Sequence, residues 1–152
     1  MKKIILSAIF AFILGAVSVS AQSISGSIGN GTIEKGKATR GTVTMSIPGG
    51  LHVNSNRPNS EYAIATTVRV SGSGVRVSGV TYPRGKNRKF SFSENSINVY
   101  EGRVSFPFTV TVPANFKGAT VRVTATVRSQ ACTDEVCYAP KTKTVTLTAK
   151  VK

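Results

Sequence analysis

Two cysteines are the residues of this chain whose type and spacing could do chemistry. Cys132 and Cys137 are its only cysteines, and four residues separate them. That spacing suits a tight loop that brings two sulfur atoms within disulfide reach. Three interpretations follow: a structural clip, a redox-active dithiol–disulfide pair, or two ligands of a metal site.

Loop entropy weakens the interpretation as a structural clip. In the chain-entropy model, closing so short a ring stabilises a fold by only about 2 kcal/mol, against ~4.7 kcal/mol for a 100-residue loop. A disulfide in a local loop is also accessible to an attacking thiolate, as exchange requires. Zinc needs about four ligands, and His52 is the only histidine, so we expect no metal and no cofactor. The clip and the redox pair both remain open.

Composition argues against most other chemistry. The 152 residues are enough for one domain, and 40% of them are hydrophobic, which is enough for a core. The chain has six acidic residues, one histidine and no tryptophan. Few groups are therefore left for general acid–base catalysis, and most hydrolase sites lack their parts.

The first 21 residues are typical of a secretory signal peptide. Lys2 and Lys3 precede an apolar run over residues 4–17, and small residues lead to Ala21. The run is shorter than the roughly 20 residues that a membrane-spanning helix needs. We predict cleavage after Ala21 and an exported domain over residues 22–152, periplasmic or secreted, with no transmembrane segment.

The chain is strongly basic. Its formal net charge is +14, and removal of Lys2 and Lys3 with the signal peptide leaves +12. Such a field favours contacts with anionic surfaces. Export argues against nucleic acid as the partner, and the even spread of Arg and Lys also fits a charge that serves solubility.

Alternating apolar and polar residues predict an all-β domain. The candidate strands cover residues 24–28, 43–47, 62–70, 75–77, 97–99, 104–112, 121–127 and 145–151. Seven or so short strands separated by turn residues indicate an antiparallel, immunoglobulin-like β-sandwich, with a closed barrel as the alternative. Pro107 inside the clearest strand predicts a sheet edge or a bulge.

Two longer stretches without this alternation are predicted to be loops. They cover residues 49–61 and 82–95, and the second carries basic residues followed by Phe90 and Phe92. Loops held on a rigid sandwich often carry function. The same loop could also be a solvated one that a single phenylalanine attaches to the core.

Over residues 50–151 the chain resembles the N-terminal, immunoglobulin-like domain of thiol:disulfide interchange protein DsbD. The most specific segment is residues 129–145, where Gln130, Cys132, Cys137 and Pro140 match a Q-x-C…C-x-x-P redox motif. Weaker likenesses surround His52 and the borders of the 82–95 loop.

The resemblance implies electron relay outside the cytoplasm, with thioredoxin-like domain proteins and periplasmic thiol–disulfide proteins as partners. By this similarity Cys137 forms the mixed disulfide with a partner and Cys132 resolves it. A cap loop with an aromatic residue shields the pair in the family, and Phe90, or second to it Phe92, matches that residue. A relay is a better fit to this resemblance than a stand-alone turnover enzyme.

The chain also departs from the pattern of the family. Arg88 and Lys89 stand where acidic residues precede the cap aromatic, and His52 and Asn54 replace aromatic residues near the early strand. No membrane segment or thioredoxin domain follows in the sequence, so we expect separate proteins to supply electrons. The alternative function is a non-catalytic secreted sandwich that binds a protein or an anionic envelope surface and keeps the disulfide as a clip.

Overall fold

The structure, a computed structural model, describes residues 22–152, and every regular element within them is a β-strand. The predicted signal peptide lies outside the described residues. The strands in chain order are β1 (Ser23–Ile28), β2 (Thr32–Ile33), β3 (Ala38–Ser46), β4 (His52–Asn54), β5 (Thr67–Gly72), β6 (Arg76–Val77), β7 (Lys86–Arg88), β8 (Ile97–Tyr100), β9 (Arg103–Thr111), β10 (Thr120–Ser129), β11 (Ala131–Cys132) and β12 (Lys141–Val151).

The strands form three four-stranded sheets. The first has the order β1-β3-β9-β6, the second β2-β12-β10-β5 and the third β11-β4-β8-β7. All strand pairs are antiparallel except β2 and β12, which run parallel. The first two sheets share one apolar core, so the domain is the predicted antiparallel β-sandwich and not a closed barrel.

Period-2 alternation builds this core because successive side chains of a strand point to opposite faces. In β9 the apolar residues face inward and are buried, with Phe106 fully enclosed. In β10 the buried valines and Ala125 alternate with exposed threonine and arginine. These two strands supply facing halves of the core, and the pattern that predicted them is the pattern that buries them.

Pro107 occupies a strand position that suits a proline. It pairs with Thr42 of β3 on one side, whereas β6 on the other side reaches only Val110 and Thr111. The carbonyl of Pro107 accepts a hydrogen bond from the Thr81 amide at 2.8 Å, outside any strand. At Pro107 the sheet is therefore locally an edge, where a missing N–H interrupts no strand ladder.

Two strands of the third sheet lie where the sequence predicted loops, which is a correction. The stretch 49–61 contains β4, and the stretch 82–95 contains β7. Each strand has three residues, too few for a visible alternation, and all of β4 is buried whereas all of β7 is exposed. Pairing with β8 holds both strands, and this tertiary contact is invisible in a local pattern.

The predicted strand over 62–70 is also corrected, because the strand begins only at Thr67. Its first residues are held by other contacts: the Ile64 carbonyl accepts a hydrogen bond from the Asn54 side chain at 3.1 Å. The Thr66 hydroxyl donates to the Asn54 carbonyl at 2.6 Å. These hydrogen bonds attach residues 64–66 to Asn54 of β4 and so to the third sheet, which also contains Cys132.

Candidate functional site

The two cysteines close a hairpin at the end of the sandwich. Cys132 and Cys137 are joined by a disulfide, with their Cα atoms 4.0 Å apart. The Thr133 amide donates to the Val136 carbonyl at 2.8 Å, and the Tyr138 amide donates to the Ala131 carbonyl at 2.9 Å. These bonds flank the cysteines and make them a non-hydrogen-bonded cross-strand pair, the closer of the two pair types. The predicted disulfide is therefore present.

Burial differs sharply between the two cysteines. Cys132 is fully buried, with 0% of its surface exposed, whereas Cys137 is an exposed residue. Cys132 lies in β11, which pairs with β4, and Cys137 lies on the return arm of the hairpin. Of the two cysteines, Cys137 is therefore the one that meets solvent, and access of this kind is what thiol–disulfide exchange requires.

Gln130 fixes the return arm of this hairpin. Its side-chain Nε2 donates to the Tyr138 carbonyl at 3.1 Å. Its Oε1 accepts from Asn54 Nδ2 at 3.1 Å and from the Ile64 amide at 3.4 Å. One amide side chain thus joins three segments, and the residue beside Cys137 is tied through it to β4.

We predict that Gln130→Ala lowers the free energy of unfolding by about 1–3 kcal/mol, because it leaves partly buried partners unsatisfied. Gln130→Glu tests the donor: it keeps the acceptor for Asn54 and Ile64 but places a carboxylate oxygen against the Tyr138 carbonyl, so the free energy of unfolding should fall for this variant as well. Urea denaturation of both variants measures the difference. A loss below about 0.5 kcal/mol for Gln130→Ala would show that these bonds stabilise little.

His52 lies beside the buried cysteine. It pairs with Cys132 across β4 and β11, and only 3% of its surface is exposed. Its ring stacks on Phe90, with the ring centroids 4.3 Å apart and the planes 17° from parallel. Burial lowers the pKa of the His52 imidazole, and Arg88 acts in the same direction, while Asp134 and Glu101 oppose it.

The two phenylalanines of the predicted cap loop have different environments. Phe90 is 4% exposed and packs with Ile97 and Val99 in a second apolar cluster. Phe92 is 45% exposed and stacks on Phe90, with centroids 5.2 Å apart. Phe90 thus anchors the loop, and Phe92 covers the Phe90 ring from the solvent side.

A cavity of about 240 Å³ connects the loop to the exposed cysteine. It is lined by Asn54, Ser60, Tyr62, Ala63, Phe92, Ser93, Ile97, Gln130 and Cys137. Tyr62 and Phe92 of this lining are exposed, and so are Val136 and Tyr138, which flank Cys137 in sequence. Exposed apolar surface of this kind is typical of a protein contact site.

Charged side chains also lie near His52. Arg88 and Glu101 form an ion pair with an N–O distance of 2.5 Å, and Lys86 Nζ lies 3.9 Å from the same carboxylate. A second cavity brings Arg88, Glu101 and Asp134 together with His52. Arg88 of the cap loop is thus ion-paired with a neighbouring acid.

Residues 29–149 match the family described as thiol:disulfide interchange protein DsbD, N-terminal. This chain belongs to the DsbD N-terminal family. The match covers the hairpin, the loop with both phenylalanines and β4, so the resemblance carried by Gln130, Cys132 and Cys137 is confirmed. No curated protein sequence matches the chain.

Two solved structures are similar to this member of the DsbD N-terminal family. The N-terminal periplasmic domain of ScsB from Proteus mirabilis has 12% identity and a TM-score of 0.54, over 83% of this chain and 45% of that one. The DsbD N-terminal domain of Neisseria meningitidis in its reduced form has 14% identity and a TM-score of 0.46, over 72% of this chain and 77% of that one. This chain thus spans less than half of the ScsB domain, and at these identities the likeness concerns the fold alone.

The DsbD N-terminal fold brings the site residues named from the sequence to one end of the sandwich. Phe92 shares a cavity with Cys137, and Phe90 reaches Cys132 through His52. The sequence interpretation did not assign roles to Tyr62, Val136 and Tyr138, because exposed apolar residues give no periodic signal. Within residues 22–152 no helix is long and apolar enough to cross a membrane.

Proposed function

We propose that this protein is an exported thiol:disulfide interchange module that relays electrons through Cys132 and Cys137 to or from thioredoxin-like partners. Membership of the DsbD N-terminal family fits interchange chemistry, and the family is one of periplasmic domains. The observation that carries the proposal is an exposed Cys137 bonded to a fully buried Cys132. The working domain in this proposal is residues 22–152, after cleavage of residues 1–21.

The proposed reaction begins with a partner thiolate attacking Cys137 Sγ in line with the disulfide. A new bond forms between the partner sulfur and Cys137, and the electron pair of the old bond leaves on Cys132 Sγ. A second thiol of the partner then releases Cys137 and takes the disulfide with it. The protein gains two electrons as a dithiol, and the reverse sequence passes them on.

The apolar residues around Cys137 support a partner that docks briefly. Phe92 and Tyr62 are exposed and line the same cavity as Cys137, and the exposed Tyr138 follows Cys137 in sequence. Burying such residues against a thioredoxin-like surface provides binding energy next to the reacting atom. In this proposal Phe92 and Tyr62 form the outer cap that a partner displaces, and Phe90 stays anchored.

Exchange with a protein partner tests this function. Oxidised protein is mixed with a reduced thioredoxin-like protein, quenched with an alkylating agent and weighed by mass spectrometry. We expect the dithiol form of this protein to increase as the partner becomes oxidised in equal amount, since two electrons move per disulfide. The double variant Cys132→Ser with Cys137→Ser is the blank. No transfer above that blank over hours would refute the relay.

A second candidate function rests on the outer face of the sheet β2-β12-β10-β5. Arg69, Arg122, Arg128 and Lys150 are exposed there, and these four strands contain no Asp or Glu. Such a face suits an anionic surface, with the disulfide as a clip. This function predicts binding that weakens steeply with salt and is unchanged in the double cysteine variant, which separates it from the relay.

A further inference from the structure

His52, Cys132 and Cys137 form a row across three neighbouring strand segments. Cys132 is the directly opposite partner of His52 on one side and of Cys137 on the other. Residues directly opposite in antiparallel strands have side chains on the same face, with Cβ atoms about 4.5–5.5 Å apart. The imidazole is therefore the titratable side chain that the strand pairing places beside the buried cysteine.

The His52 imidazole has hydrogen-bonding capacity that the folded domain does not use. Its surface is 97% buried, and within residues 22–152 the hydrogen bonds of the site run through Asn54 and Gln130, while none reaches the imidazole. Within residues 22–152 the one fully enclosed side-chain polar atom without a hydrogen-bond partner is Gln22 Nε2, so the unpaired nitrogens of His52 keep some contact with solvent. The stack on Phe90 holds the ring in place without occupying a nitrogen.

The buried cysteine needs a partner of this kind once its bond is broken. A disulfide sulfur is a weak hydrogen-bond acceptor, so in the oxidised protein Cys132 needs no hydrogen bond from the imidazole. Opening the disulfide places negative charge on Cys132 Sγ, inside the protein and away from water. The nearby acid Asp134, when ionised, cannot donate a hydrogen bond to it.

We propose that His52 is the acid–base partner of Cys132, an inference that rests on the proposed exchange function. When Cys132 Sγ leaves with the electron pair of the disulfide, the imidazole hydrogen-bonds the thiolate and conveys one proton from solvent to it. In the opposite direction the neutral imidazole takes the proton from the Cys132 thiol. The Cys132 thiolate then attacks the mixed disulfide at Cys137 and expels the partner sulfur as a thiolate. The negative charge thus moves from Cys132 Sγ to the partner sulfur.

The surroundings of His52 favour the neutral form that acts as a base. Burial is the largest influence and lowers the imidazole pKa, and Arg88 of β7 lowers it further. Asp134 of the hairpin and Glu101 after β8 raise it. With burial dominant the ring is neutral near pH 7, ready to accept a proton from Cys132.

The test uses a small aromatic disulfide that releases a coloured thiolate. In the reduced protein Cys137 attacks the reagent and releases one equivalent, and Cys132 then resolves the mixed disulfide and releases a second. The rate of the second release is measured by stopped flow from pH 5 to 10. Cys132→Ser, which should give only the first release, verifies the assignment of the two phases.

His52→Phe keeps an aromatic ring for the stack on Phe90 but has no nitrogen, and His52→Gln keeps polarity without a base. We expect the second release at pH 7 to be at least about tenfold slower in both variants, with the gap closing towards pH 10, where the thiol ionises unaided. Equal rates and equal pH profiles in wild type and both variants would overturn the proposal. A merely structural role of His52 would change the melting temperature without changing the shape of the profile.

A second measurement covers the case in which the variants fold poorly. In Cys137→Ser protein, Cys132 is titrated alone by its thiolate absorbance, and the proposal expects a pKa below the ordinary thiol value of about 8.5. A higher value would contradict it, since burial without a partner raises the pKa of a thiol. Neither assay uses a protein partner, so failure of the relay with thioredoxin-like proteins and failure of the His52 role are distinguishable.

Discussion

Cys132→Ser should trap a partner as a mixed disulfide, and exchange should stop at that point. The exposed Cys137 can still form a bond with an incoming sulfur, but the resolving thiol is gone. The complex accumulates because neither side of the new bond is attacked from within this protein. The partner is a thioredoxin-like protein whose one reactive cysteine is activated as a mixed disulfide with an aromatic thiol, so that Cys137 attacks this bond and expels the aromatic thiol. A non-reducing gel and intact mass measure the yield.

Cys137→Ser is the matched control for this trap. It leaves one cysteine, Cys132, which is fully enclosed, so it should give far less complex under the same conditions. The two variants differ only in which sulfur remains. Equal yields, or a larger yield from Cys137→Ser, would reverse the roles assigned to the two cysteines.

Phe90→Ala should give the largest loss of stability in the site. Phe90 is 4% exposed, packs with Ile97 and Val99 and supports the His52 ring. Truncating a buried phenylalanine typically costs about 3–5 kcal/mol, since the transfer free energy is lost and a cavity remains. Chemical denaturation measures the loss, and a faster reaction of the disulfide with small thiols should accompany it.

Phe92→Ala tests whether Phe92 contributes less to the stability of the loop than Phe90 does. With 45% of its surface exposed, Phe92 has less to lose, and we expect its removal to cost less than about 1.5 kcal/mol. It lines the cavity of Cys137, so its removal should still speed reduction by small thiols. If Phe90→Ala costs no more than Phe92→Ala, Phe90 does not anchor the loop.

The sequence predicted the long strands because their own residues determine both structure and burial. In β9, β10 and β12 the apolar residues recur at every second position over seven residues. The short strands β4 and β7 show no such alternation. β4 depends on pairing with β8, more than forty residues away, a distance that exceeds any window of local pattern. β7 is close to β8 in sequence, but its three residues are all exposed and polar and show no alternation.

The site was predictable only in part for the same reason. The spacing of Cys132 and Cys137 indicates a disulfide, because the ring closes within six residues. The Gln130 side chain acts through Asn54, 76 positions away, and His52 meets Cys132 only through strand pairing. Which cysteine is buried also follows from that pairing, and nothing in the C-x4-C spacing distinguishes one sulfur from the other.

The most direct test follows redox state and fold in the same sample. Residues 22–152 are titrated in dithiol–disulfide redox buffers, with free thiols counted by alkylation and tertiary structure followed by two-dimensional amide NMR. We predict that Cys132 and Cys137 become fully reduced while the amide spectrum stays dispersed and changes mainly near β4, β11 and the 82–95 loop. Thiols that appear only as the whole spectrum collapses to that of an unfolded chain would contradict it.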